Sequence, residues 1–177
     1  MKTVNKKIRW ITRTGLLLAL LIVLQWATAG TQAFAGQYIT GTCVNAVLAV
    51  ATLASGLWSG LTVAALSPFF AKLLGIGPQL LPIVPAIAVG NVVFVLLLYS
   101  TIKKIRGFAV LTAALGKFLT LYLLVVKCIV PLMAEGLKPQ QIATFSVMFS
   151  YPQLITALLG GLVAVAIVPV LKKPAHS

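Results

Sequence analysis

Residues 108–133 read FAVLTAALGKFLTLYLLVVKCIVPLM, an apolar run that is interrupted by two lysines, Lys117 and Lys127. A run of ~20 apolar residues is long enough for a helix to cross the ~30 Å hydrocarbon core of a bilayer. A lysine at mid-bilayer costs at least ~2.5–3.5 kcal/mol, so it normally faces protein or a wet cavity. On an α-helix, ten residues bring Lys127 within roughly 80° of Lys117. The stretch therefore predicts a membrane helix with a cationic face that meets an anionic or strongly hydrogen-bonding solute.

The composition of the whole chain agrees with a membrane location. Of its 177 residues, 60% are hydrophobic and 8% are charged, and the mean hydropathy is +1.09. A soluble domain of this length cannot hide so much apolar surface. Fourteen Lys and Arg residues stand against one acid, Glu135, which gives a formal net charge of +13. Because basic residues near span ends stay on the cytoplasmic side, this excess indicates the cytoplasmic membrane surface and not nucleic acid.

Six apolar segments predict an all-α integral membrane protein, a six-transmembrane-helix bundle that forms a single domain over residues 1–177. The predicted spans are residues 13–29, 41–57, 59–74, 81–101, 108–133 and 145–171. Basic clusters at residues 2–13, 103–106 and 172–173 then share one face, so both termini are predicted to be cytoplasmic. Five or seven spans would separate the last cluster from the others. A cleavable signal peptide is the alternative for the first segment, because small residues follow its basic lead and apolar run.

Polar side chains within the spans are predicted to form a substrate pocket in the outer half of the bundle, together with the two lysines. They are Asn45, Asn91, Tyr122, Tyr151 and Gln153. The alternative role for each of them is a hydrogen bond between helices. For Lys127 the alternative is a side chain that extends to the membrane–water interface, which is also the interpretation for Lys72. Two outer segments are ambiguous as well. Residues 30–40 are either a lid or a solvated connector, and the Gly- and Pro-rich residues 75–85 are either a pocket wall or a rigid turn.

Neither catalysis nor a metal or cofactor site finds support in the sequence. Glu135 is the only carboxylic acid side chain, and the single histidine, His176, is next to last. Cys43 and Cys128 belong to no CxxC or Cys/His cluster of the kind that binds zinc. HExxH, GxSxG and paired-acid motifs are missing from the sequence, as is a nucleotide-binding motif. We therefore expect no enzyme and no cofactor, and energy for any uphill transport must come from partner subunits.

The chain resembles the substrate-binding S components of energy-coupling factor (ECF) vitamin transporters. The similarity rests on the length, the six predicted spans, Arg13 ahead of the small pair Gly15 and Ala19, the outer loop after the first span, and the segments at 60–69 and 75–78. In that family an Ala-xxx-Ala pair of the first span docks on coupling helices of a membrane partner. In this chain the first residue of the pair is a glycine, Gly15, which is also small and so still allows another helix to approach closely.

The resemblance implies a prokaryotic plasma-membrane importer that works with a transmembrane coupling subunit and two ATP-binding subunits. Gly15 and Ala19 would dock on the coupling subunit. The captured solute would be a vitamin or a related small molecule, and the lysines favour an anionic one, such as a pantothenate-like or other carboxylated vitamin. Metal-type members of the family usually rely on N-terminal histidine ligands, which this chain lacks.

Two other functions compete with this interpretation. The first is a structural or assembly role in the membrane, in which the lysines bind anionic lipid headgroups; it predicts no specific soluble ligand and no co-purifying ATPases. The second is an ion-coupled carrier that acts alone. That function is weakened by the shortage of carboxylates and by the lack of a visible inverted repeat.

Overall fold

The computed structural model describes residues 2–29, 33–78, 80–103 and 105–171, and all of its regular structure in these ranges is helical. The α-helices, in chain order, are α1 (Lys2–Ala29), α2 (Ala33–Ser55), α3 (Leu57–Leu73), α4 (Ile83–Thr101), α5 (Arg106–Leu121), α6 (Val130–Leu132), α7 (Pro139–Met148) and α8 (Tyr151–Leu171). A π-helix, Tyr122–Ile129, connects α5 to α6. A short 3-10 turn, Ala134–Gly136, precedes α7.

Membrane-length helices dominate the described part of the chain. Five stretches are long and apolar enough to cross a bilayer: Asn5–Ala29, Gly36–Ser55, Ile83–Thr101, Arg106–Leu132 and Pro139–Leu171. Helix α3 is also apolar but has only 17 residues. The all-α membrane class is thus confirmed, and the count of six spans stays a prediction. The basic pair at residues 172–173 lies outside the described residues.

The second predicted span begins too late. Helix α2 starts at Ala33 and not at residue 41, so most of the segment predicted as a possible lid is helical, while residues 30–32 lie outside the described ranges. The polar side chains of this first part of α2 find partners on other helices. Thr40 Oγ1 donates to Thr28 Oγ1 at 2.7 Å, and Gln37 Nε2 donates to the backbone oxygen of Met148 at 2.8 Å. These contacts satisfy polar groups that the sequence analysis assigned to a loop.

The sixth predicted span, residues 145–171, is interrupted. Helix α7 ends at Met148 and α8 begins at Tyr151, with Pro152 in its first turn. A proline has no N–H to donate to the preceding turn and disfavours helical backbone in the residue before it. It is well suited to the first turn of a new helix, where that N–H would have no partner. The break turns the chain at the point where α7 meets α2 and α8.

The six long helices form a closed ring. Going round it, the order is α1, α2, α8, α5, α4 and α3, and each helix contacts both neighbours, with α2 also touching α3 and α4. The most extensive contact joins α2 and α8. It depends on Gly160, where an added Cβ would lie 2.6 Å from the backbone nitrogen of Ala46 and the backbone oxygen of Thr42. Helix α1 packs against α2 and α3, which also contact each other.

Candidate functional site

A cavity of about 270 Å³ lies at one end of the ring. It is walled by the last turns of α1 and α3, the first halves of α2 and α4, the start of α8, the second half of α5, the end of α7 and the turn after α3. Lys103, just after α4, and Arg106, the first residue of α5, lie at the other end of the bundle. Ligand pockets in proteins typically hold ~300–1,000 Å³, so this one suits a small solute.

Lys117 is part of the cavity wall, although only 3% of its surface is exposed. Its Nζ donates to Asn45 Oδ1 and to Asn91 Oδ1, both at 2.7 Å, and lies 6.0 Å from the centroid of the Phe94 ring. Both acceptors are neutral amides. The single acid of the chain, Glu135, is exposed in the 3-10 turn. An ammonium has three donors, so one N–H remains after the two amides, and no carboxylate of the described residues accepts from this lysine.

Asn45 is fixed from two sides. Its Nδ2 donates to the backbone oxygen of Gly41 at 2.8 Å and to Thr156 Oγ1 at 3.4 Å. These bonds use the donor side of the amide, so its oxygen faces Lys117. Gly160 permits the arrangement, because a Cβ there would lie 2.6 Å from the Cβ of Asn45. The close approach of α8 to α2 therefore positions an acceptor for the buried ammonium.

Three buried polar atoms have no hydrogen-bond partner within the described part of the chain: Gln25 Oε1, Ser67 Oγ and Asn91 Nδ2. All three belong to residues that line the cavity. Folded proteins leave only a few buried polar groups unsatisfied, and each costs about 1–3 kcal/mol. The three residues thus surround one cavity, although the three atoms themselves are enclosed by protein.

The end of α7 lies at the cavity and is hydrogen-bonded to side chains of α2 and α8. Both Gln37 Nε2 and Gln153 Nε2 donate to the backbone oxygen of Met148, at 2.8 and 3.1 Å. The last carbonyls of a helix lack partners within the helix, so two side-chain amides here satisfy one of them. This links α2 and α8 to α7 and places Phe149, which is 2% exposed, in the cavity wall.

The match to a protein family covers nearly the whole chain. A family model described as the substrate-specific component of ECF transporters matches residues 9–172. The chain belongs to this family. Neither a curated protein nor a solved structure gives a match. As a member of this family, the protein is a substrate-binding subunit of a transporter, and its several apolar helices make it a multi-pass membrane protein, as the sequence predicted.

Four of the seven predicted binding residues of this S component meet at or beside the cavity. Lys117, Asn91 and Gln153 line it, and Asn45 accepts a hydrogen bond from Lys117. Three residues are not among the lining residues: Lys127 and Tyr151 are exposed, and Tyr122 is half-buried. The Nζ of Lys127 lies 5.5 Å from the centroid of the Tyr122 ring, outside the cavity wall.

The π-helix explains the position of Lys127. In a π-helix the hydrogen bonds run from residue i to i+5, so each residue turns the chain by less than in an α-helix. The prediction that Lys127 shares a face with Lys117 assumed an α-helix throughout. It is wrong because the eight residues Tyr122–Ile129, which include Lys127, are π-helical.

The wall also contains polar residues that were not predicted to bind substrate, among them Gln25, Ser67 and Lys72. Gln25 had a signal in the sequence, because it is an amide within the apolar run of the first span. Ser67, directly before Pro68, is a weaker indication of a binding role in the sequence. Lys72 was considered only as a residue that extends to the interface, whereas the structure places it in the cavity wall, half-buried near the end of α3.

The predicted docking pair lies on the outside of the S component. Gly15 and Ala19 are both exposed on α1, and a Cβ added at Gly15 would meet nothing within 4 Å. The small residues of this face are therefore not used for packing inside the described bundle. They leave a surface on which another helix can approach closely.

Proposed function

We propose that this S component captures a small anionic solute, a vitamin or related molecule with a carboxylate, for an ATP-driven ECF importer. The observation that carries the proposal is the ammonium of Lys117, which lies in the cavity wall and, among the residues that the structure describes, bonds to two neutral amide oxygens. A carboxylate in the cavity would accept from the remaining N–H of Lys117. Such charge-assisted hydrogen bonds are about twice as strong as neutral ones.

The same proposal includes six spans, with α3 as the short one, and cytoplasmic termini. A 17-residue helix is at the lower limit, ~17–25 residues, for crossing a bilayer. Lys103 and Arg106 support the orientation, because basic residues between spans favour the cytoplasmic side. The cavity is at the opposite end and would then face outward, as capture requires. Cysteine labelling of Lys103→Cys from the outside of intact cells would contradict this orientation.

Carboxylated vitamins are expected to raise the Tm of the purified full-length chain, and their primary amides are not. A ligand at a hundred times its Kd adds about 2.7 kcal/mol to stability, which corresponds to several degrees in Tm. Thermal unfolding in detergent, with each acid and amide pair side by side, measures the difference. Equal stabilisation by acids and amides would show that the cavity does not select an anion.

Membership of the family also supports an assembly with a transmembrane coupling subunit and two ATP-binding subunits, with Gly15 and Ala19 at the contact. Affinity capture of the chain from its native membrane should recover two ATP-binding proteins. Gly15→Leu should reduce their recovery at least several-fold, because its side chain fills the surface on which the partner helix approaches. Ala27→Leu, another exposed position of α1, is the matched control and should recover them normally.

Solute binding by Gly15→Leu should equal that of the unmodified chain, since Gly15 is remote from the cavity lining. If no ATP-binding protein is recovered and anionic phospholipid stabilises the chain in place of soluble acids, the structural role in the membrane is the better account. Normal recovery of the ATP-binding proteins with Gly15→Leu would show that the docking surface lies elsewhere on the protein.

A further inference from the structure

We propose that a crevice around Arg106, at the end of the bundle away from the solute cavity, binds an anionic phospholipid of the cytoplasmic leaflet. The phosphate would bind the guanidinium, and an acyl chain would lie along the apolar wall. This site goes beyond the proposed capture of a solute. It uses the proposed orientation, which places this end of the bundle at the cytoplasmic surface.

The crevice has a volume of about 230 Å³ and lies where four helices approach one another. Leu53 is in the last turn of α2, Ile102 directly follows α4, and Arg106 is the first residue of α5. The last two turns of α8 contribute the remaining lining residues, Val165, Val168 and Pro169. None of these residues lines the solute cavity, so the two sites can be occupied independently.

Arg106 is the single charged residue of the crevice lining, and the other lining residues are apolar. The chain has one acidic side chain, Glu135, which follows the opposite end of the membrane-length segment Arg106–Leu132. No acidic side chain of this protein is therefore placed to neutralise Arg106. A guanidinium can donate two parallel hydrogen bonds to a phosphate group, so a phosphate suits this position.

Exposed apolar residues surround the arginine and favour a lipid over a water-soluble phosphate compound. Ile105 and Phe108 are exposed on either side of Arg106, and Val170 and Leu171 are exposed at the end of α8. Such side chains suit the acyl region, while a long basic side chain near a helix end extends to the headgroups. An occupant that matches both is amphipathic, with an anionic head and a hydrocarbon chain.

The surrounding charge favours an anionic headgroup over a zwitterionic one. Lys103 is exposed three residues before Arg106, and the sequence places Lys104 between them. Anionic lipids are enriched in the cytoplasmic leaflet, and basic pockets between membrane helices on that side bind anionic headgroups. The crevice has both properties, because it lies between helices and its charged residue is basic.

The test compares two phospholipids with the same acyl chains. Dioleoyl phosphatidylglycerol is anionic, and dioleoyl phosphatidylcholine is zwitterionic. Native mass spectrometry of the full-length chain in detergent, titrated with each lipid, gives their relative Kd values. The anionic lipid should bind about fivefold more tightly, the factor expected for one basic residue at a membrane surface. Glycerol 3-phosphate should not compete at equal concentration, because it lacks the hydrocarbon that the crevice would bury.

Three variants separate the arginine, the general surface charge and the crevice. Arg106→Gln should bring the Kd values of the two lipids within about twofold of each other, since it removes the cationic partner of the phosphate. Arg9→Gln changes an exposed arginine of α1 outside the crevice and should keep the preference. Val165→Phe keeps every charge but fills part of the half-buried wall, so it should weaken both lipids several-fold. Arg106→Gln is a surface change and serves if Val165→Phe does not fold.

Equal affinity of the unmodified chain for the two lipids would overturn the site. A full preference in Arg106→Gln, or an equal loss in Arg9→Gln, would show that general surface charge attracts the lipid. Unchanged binding by Val165→Phe would exclude the crevice, and full competition by glycerol 3-phosphate would exclude a lipid as the specific occupant. Because binding is measured in detergent, these results do not depend on the orientation of the chain, which the labelling of Lys103→Cys tests separately.

Discussion

Lys117→Met is expected to weaken the binding of a stabilising carboxylated vitamin by at least about tenfold, since truncating one partner of a buried charged hydrogen bond costs about 2–5 kcal/mol. Methionine is unbranched and flexible, so it fills much of the space of the lysine without its charge. The carboxylate would lose its cationic partner, and Asn45 and Asn91 would lose their donor. The measurement is the Kd of the full-length protein by isothermal titration.

Lys127→Met is the matched control, because it removes the same charge from the same chain segment. Lys127 is exposed and lies outside the cavity wall, so the Kd should change by less than about twofold, as for most surface substitutions. A Lys117→Met protein that unfolds with a normal transition and binds the acid with unchanged affinity would remove this lysine from the substrate site.

Gly160→Ala is expected to destabilise the bundle by about 1–3 kcal/mol, the usual cost of overpacking a tight core, and to weaken solute binding as well. The added Cβ would lie 2.6 Å from the Ala46 nitrogen, the Thr42 oxygen and the Asn45 Cβ. Two of these atoms are backbone, so α8 must move away from α2. Asn45 would move with α2 and lose its geometry toward Lys117.

Gly107→Ala is the control for the same change in another helix. A Cβ at Gly107 would meet nothing within 4 Å, and alanine in a helix is more stable than glycine by roughly 0.5–1 kcal/mol. Its Tm and its Kd for the acid should therefore equal or slightly exceed those of the unmodified protein. If Gly160→Ala kept both its Tm and its affinity, the α2–α8 contact would not control the site.

Much of the fold and the centre of the site were predictable from the sequence for a simple reason. An apolar run of membrane length has few structural options, and an ionisable residue within it is too costly to face lipid without a function. These two arguments predicted the helical membrane class and identified Lys117 as a candidate binding residue. The polar residues Asn45 and Asn91 followed, because they are amides in otherwise apolar spans.

The remaining features depend on contacts between distant segments. The π-helix at Tyr122–Ile129 has no signature in the hydrophobic pattern of the local sequence, yet it lies between Lys117 and the exposed Lys127 and changes their relative orientation. The helical start of α2 likewise depends on partners in α1 and α7. For Gln25 and Ser67 the sequence shows polar side chains, but only the structure shows that each has an atom without a partner.

Helix α1 has a part in both proposed contacts of this protein. Gln25, in its last turns, lines the cavity, while Gly15 and Ala19, earlier on the same helix, are exposed on the outside of the bundle. A shift of α1 on solute binding would therefore also change the surface that is proposed to meet the coupling subunit.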